Sequence, residues 1–270
     1  MIHFFKYALL NEWRTQYPNK KYLGALFISS FLTLWTYQLT AKALNPLMQS
    51  SLDWHGSDYF TFIVLGEAAL MLPLGSLEGF TRTTRFLLQH KLLEDFLFAQ
   101  NGLKKLILLN STQMLQDVLH LFVFVSLAMV FFGFAQNFST LLLALFWIVA
   151  SIPLFGAMGI LASYVVMITG RGSGVIGQIN FLFSICAGVY FPLGVFSSPT
   201  REYLLMLVPT TRLLDVVRQS CGSGIEQKLA IQTFAFFVLM GGLAFGLCFI
   251  LFPLVRQTVR RQGVPQLLQG

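Results

Sequence analysis

Charge is scarce in this sequence. Asp, Glu, Lys and Arg make up 11% of its 270 residues, where a soluble domain carries about 25%. A water-soluble fold would have too little polar surface to cover itself. Cysteine is also rare. Cys186, Cys221 and Cys248 are an odd, scattered set that makes neither a disulfide framework nor a zinc spacing. Cys186 and Cys248 lie in apolar runs and read as small packing residues, whereas Cys221 lies in a polar stretch and is expected to be exposed. Motifs of nucleotide chemistry are missing. The best Gly-rich stretch, Gly170-Arg171-Gly172-Ser173-Gly174, has no Lys after it, and Val175 stands where G-x-G-x-x-G needs its last glycine. It reads as a tight turn. The four histidines, His3, His55, His90 and His120, are scattered, with no H-E-x-x-H and no nucleophile elbow. No internal repeat, low-complexity tract or soluble domain longer than the loops stands out.

Apolar length is what the sequence has. Hydrophobic residues make up 56%, mean hydropathy is +0.70, and several runs reach the ~20 residues that cross a bilayer. The expected fold is an all-α integral membrane protein, a single transmembrane domain over 1–270. Its six transmembrane helices fall at 22–41, 59–80, 106–133, 140–168, 175–196 and 229–253. Residues 2–17 read as an amphipathic helix within an interfacial segment 1–20, with Ile2, Phe5, Leu9 and Trp13 on one face. A soluble lead-in is the alternative. Lys20 and Lys21 before an apolar run raise the question of a signal peptide, but the run is long and begins late, so an uncleaved first helix is expected.

The net charge of +7 does not point to nucleic acid, because the basic residues cluster between apolar segments. Thirteen Lys and Arg fall on one side of the six-span topology and five on the other, accounting for all 18. The richer side faces the cytoplasm, which places both termini inside.

The connection at 81–105 mixes charge with large apolar residues: Arg82, Arg85, Phe86, Leu93, Glu94 and Leu97. A solvated loop has no use for so many. A short helix on the cytoplasmic surface, docked into another protein, does; an interfacial helix without a partner is the alternative. On the third span Asn110, Gln113, Asp117 and His120 recur at helical spacing and share a face. They line a translocation path or relay protons, or they tie helices together by hydrogen bonds. Glu67, midway along the second span, needs a partner or a water-filled cleft. Gly242 and Gly246, four apart, suit close packing within the chain or against a second copy.

Residues 184–224 carry the sharpest pattern: Gly188, then Phe191, Pro192 and Leu193, then Pro209, Thr210, Leu214, Asp215 and Arg218. With Tyr59-Phe60-Thr61-Phe62 and Leu93-Glu94 before Leu97, the chain resembles the ABC-2 type permease family, the membrane subunits of ATP-driven exporters. It departs from the family's Gly-Thr-Leu-Glu stretch, having Lys91-Leu92 before Glu94's leucine. The resemblance implies a permease in a bacterial inner membrane that moves a drug, lipid or lipid-linked polysaccharide outward. It implies a second permease copy or close homologue, membrane lipids around them, and two copies of a cytoplasmic ATPase. That ATPase would bind ATP and Mg and dock on the N-terminal helix and the 81–105 coupling helix; the chain itself would hold no cofactor and catalyse nothing. It also implies that 197–228 forms short re-entrant helices, which suits the helix-breaking Pro192 and Pro209. A membrane-embedded enzyme acting on lipid is one competing expectation, with Asp117, His120 and Glu67 as its only candidate groups; a non-transporting scaffold or an ion channel is another.

Overall fold

The computed structural model describes residues 20–52, 58–98, 101–134, 136–170, 173–222 and 226–262. The interfacial helix expected before residue 20 lies outside them. Among the described residues the chain is helical, without strands. The helices are α1 (Lys20–Leu52), α2 (Tyr59–Gln89), α3 (Leu93–Phe98), α4 (Gly102–Phe131), α5 (Phe138–Thr169), α6 (Ser173–Ala187), α7 (Ser198–Leu207), α8 (Pro209–Cys221) and α9 (Gln227–Gln262), with a 3-10 turn at Leu193–Val195.

Four of these, α2, α4, α5 and α9, are long and apolar enough to cross a membrane. Their outward faces carry Phe122, Val130, Phe146, Val149, Leu239, Leu243 and Ile250, all exposed. Water would penalise such a surface, and hydrocarbon would not. Hydroxyls inside the helices fold back on their own backbone. Thr33 donates to Ser29 O, Thr36 to Leu32 O and Thr40 to Thr36 O, each at 2.9 Å. Ser151 and Ser163 do the same at 2.7 Å. This local bond lets Ser and Thr sit where no water can solvate them.

Boundaries differ from expectation at several places. The α1 helix runs through Asn45-Pro46, where a loop was expected after residue 41. The α2 helix does not stop at 80 but continues to Gln89, so the first third of the 81–105 segment is an extension of it. Only the six residues of α3 make a separate short helix there. The expected fifth span at 175–196 is helical only to Ala187. At 1.5 Å per residue, fifteen residues reach about 22 Å, short of a hydrocarbon core of about 30 Å.

The central helix is α2, packed mainly against α5 and α4. It runs antiparallel to α4: Gly79 faces Asn110 and, further back along α2, Gly75 faces Asp117. The α5 and α9 helices run parallel, with Gly241 near Leu154 and Cys248 donating its thiol to Ala157 O at 3.3 Å. Tyr164 hydroxyl donates to Cys248 O at 2.9 Å. At the end where α2 stops and α4 begins, Arg256 of α9 donates to Phe98 O at 3.3 Å and lies over the Phe98 ring. That end gathers Arg82, Arg85, Lys91, Lys104, Lys105, Arg256, Arg260 and Arg261. The buried apolar residues form two clusters. One holds Phe62, Phe124, Phe155 and Leu213. The other, toward the basic end, holds Phe80, Leu87, Leu93, Tyr164 and Met167.

Candidate functional site

The break after α6 is held by one side chain. Gly188 sits at φ +75, a left-handed conformation that glycine adopts without penalty, and an added Cβ would lie 2.8 Å from Phe191 O. The chain then turns through Pro192, leaving carbonyls without helical donors. Arg218 of α8 supplies them. It donates to Gly188 O at 2.9 Å, to Val189 O at 3.1 Å and to Phe62 O of α2 at 3.1 Å. Its guanidinium also lies 3.4 Å from the Phe62 ring centroid. Arg218 is only 6% exposed. An arginine keeps its proton inside proteins, so the buried guanidinium is a full charge. Asp215, also buried, accepts from Gln219 at 3.1 Å.

The N-terminus of α8 is pinned to the end of α6. Pro209 opens the helix, where its missing N–H costs nothing. Thr210 donates to Phe183 O at 3.1 Å and Thr211 to Cys186 O at 2.9 Å. Tyr59 hydroxyl donates to Tyr190 O at 2.6 Å. Of the residues picked from the sequence, Gly188, Pro209, Asp215 and Arg218 therefore meet in one buried junction with Tyr59 and Phe62. Phe191 lies beside it, stacked edge-on against Phe196, and Pro192 is buried.

The polar face of α4 meets glycines of α2. Asn110 is 1% exposed, with neither side-chain atom bonded to any described residue, and it abuts Gly79. Asp117 abuts Gly75 and lies within electrostatic reach of Arg82 and Glu78, which form an ion pair at 3.3 Å. Ser76, also buried with a free hydroxyl, faces Gly156 of α5. A layer of small and polar groups thus lies between the two apolar clusters. His120 is half-buried; the Gln113 side chain lies outside the description. Glu67 is elsewhere. Eight residues separate it from Gly75, about 12 Å along the helix, and it lies within electrostatic reach of Tyr37 on α1.

The coupling residues divide. Leu93 and Leu97 are 1% and 3% exposed, packed into the cluster at the basic end. The expectation that they offer apolar surface is corrected: Lys91 at φ 58 turns the chain, so that α3 folds its leucines back onto α2 and α4. Arg82, Arg85, Phe86 and Glu94 are exposed. Cys221 is half-buried, not exposed. Gly242 and Gly246 meet nothing within 4 Å, so they pack against no other part of the described chain.

Tyr37, Tyr190, Gly75 and Gly79 were not picked from the sequence. The Gly75/Gly79 spacing of four is the same signal noted at Gly242/Gly246. Tyr37 and Tyr190 carry no local signal, because only the fold brings them to Glu67. No family model matches this sequence, and no curated protein matches it.

Proposed function

We propose that the chain is the membrane-spanning permease subunit of an ATP-driven exporter, moving an amphipathic or hydrophobic substrate outward on energy from a separate ATPase. In this reading α1 makes a fifth crossing, α6 with the bent segment to Phe196 makes the sixth, and α7 and α8 are re-entrant helices on the outer side. The basic end faces the cytoplasm, as do both termini. Two copies face one another, each seated on one ATPase subunit.

The junction under Arg218 carries the proposal. A helix stopped short of a full crossing, followed by two short helices and locked by a buried arginine, is costly to build in a bilayer. Non-helical backbone at membrane depth survives only where its polar groups are met by protein or water. Such a break suits a path that opens and closes more than a passive anchor. The basic end adds support: Arg85, Phe86 and Glu94 are each exposed at that end, where a motor would dock. Coupling then requires that the ATPase bind the inward and outward states with different affinity.

The enzyme reading has less support. Glu67 lies about two turns of α2 from Gly75, the residue that Asp117 of α4 abuts, so the two carboxyl groups do not form a paired centre.

The test is co-expression and co-purification of the full chain with candidate ABC ATPase subunits, followed by ATP hydrolysis in proteoliposomes. Hydrolysis by the complex should fall at least about tenfold in Glu94→Lys or Arg85→Glu while folding is retained. Hydrolysis indifferent to the chain and to both variants would sink the proposal. Tags on each terminus should be reached only after the membrane is opened from the cytoplasmic side.

A further inference from the structure

We propose that one face of α9, together with the turn between α3 and α4, binds a phospholipid with an anionic head group. The site does not rest on the exporter reading. Gly242, Gly246, Phe249, Pro253, Arg256 and Arg260 recur at helical spacing and share one side of α9. All six are exposed. A Cβ on either glycine would meet nothing within 4 Å, so the missing side chains leave a shallow apolar channel that runs toward Phe249. The two glycines flank the middle of α9. Ten residues separate Gly246 from Arg256, about 15 Å, which is half of a hydrocarbon core of about 30 Å. The stripe therefore follows one acyl chain from the bilayer centre to the head-group level of one leaflet.

Charge marks that level. Arg256 donates to Phe98 O at 3.3 Å, and its guanidinium lies 5.4 Å from the Phe98 ring centroid. These contacts hold it beside the turn between α3 and α4. One carbonyl leaves most of its donors open. Neither Arg256 nor Arg260 pairs with a carboxylate among the described residues, where the ion pair is Arg82 with Glu78. Past the turn, Gly102 packs on the Phe96 and Leu97 carbonyls, which brings the exposed Lys104 to the same end. Glu78, Glu94 and Asp95 offset only part of the basic residues gathered there. Arginine grips a phosphate through two parallel N–H bonds, and a basic patch at a membrane surface attracts anionic lipid. An acyl channel in line with a phosphate grip fits a ligand that has both parts. A free anion has no use for the channel, and the amine of a zwitterionic lipid is repelled.

The full chain in neutral detergent, without any ATPase, is titrated with phosphatidylglycerol and with phosphatidylcholine of the same acyl chains. Bound lipid is followed by native mass spectrometry. Phosphatidylglycerol should bind at least about fivefold more tightly. Arg256→Gln and Arg260→Gln should each weaken it about threefold to fivefold, and Gly246→Leu, which fills the channel, should weaken it as well. Lys91→Gln removes a charge exposed at the same end but off this face, and should leave binding within about twofold of wild type. Four results overturn the site: equal affinity for the two lipids, a loss in Lys91→Gln as large as in Arg260→Gln, full binding by Gly246→Leu, or displacement of the lipid by excess inorganic phosphate. Should Arg256→Gln fail to fold for want of its bond to Phe98, Arg260→Gln decides, because that side chain bonds to no other part of the described chain.

Discussion

Replacing Arg218 by alanine probes the junction most directly. The guanidinium makes three hydrogen bonds, at 2.9, 3.1 and 3.1 Å, and stacks on Phe62. Phe62 O lies within α2 and retains its helical donor, so its loss is small. Gly188 O and Val189 O follow the end of α6 and have no such donor to fall back on. Hydrogen bonds to a charged group contribute about 1.5–3 kcal/mol each, and a desolvated cation–π contact about 2 kcal/mol. Against this, alanine removes the cost of burying a charge. The net expectation is the roughly 3–5 kcal/mol seen when a buried charged partner is deleted. For a chain of this size that lowers Tm by roughly 10 °C, measured by differential scanning fluorimetry in detergent. Arg218→Lys, a point charge that cannot span three carbonyls at once, should lose about half as much. A fall below about 2 °C for Arg218→Ala, or a lysine variant equal to wild type, would refute the clamp.

Three further outcomes follow from the packing. Gly79→Ala sets a Cβ against Asn110 and should cost about 1–3 kcal/mol; adding Asn110→Ala should restore most of it in a double-mutant cycle. Leu93→Ala, in the cluster at the basic end, should destabilise by about 2–5 kcal/mol, whereas Phe86→Ala, on the exposed face, should leave Tm unchanged and lower coupled ATP hydrolysis. Gly188→Ala must hold a side chain at φ +75 and meet Phe191 O at 2.8 Å, so it should cost about 1–2 kcal/mol from backbone conformation alone and slow recovery of folded protein after SDS challenge.

Long apolar helices were legible because bilayer thickness sets their length and composition together. The α5 helix falls within two residues of its expected limits at both ends, and α9 within two of its expected start, for that reason. Helix ends in water carry no such constraint, which is why α2 runs on to Gln89 and α9 to Gln262 beyond the apolar runs. Pro192 signalled a helix end near residue 196, but the earlier break at Gly188 was not read, nor was its lock: Arg218 and Phe62 are 156 residues apart. Periodicity correctly grouped Asn110 and Asp117 on one face of α4. It did not reveal that the opposing surface would be glycine. The coupling segment misled because composition counts apolar residues without saying which way they point. Leu93 and Leu97 differ from Phe86 only in which side of a six-residue helix and a long one they occupy.

The carbonyls that follow α6 wait on a side chain made thirty residues later. A buried carbonyl left without a donor is penalised, so this turn can close only once α8 has folded against it. A product ending between residues 190 and 217 would lack the guanidinium and leave both oxygens unmet.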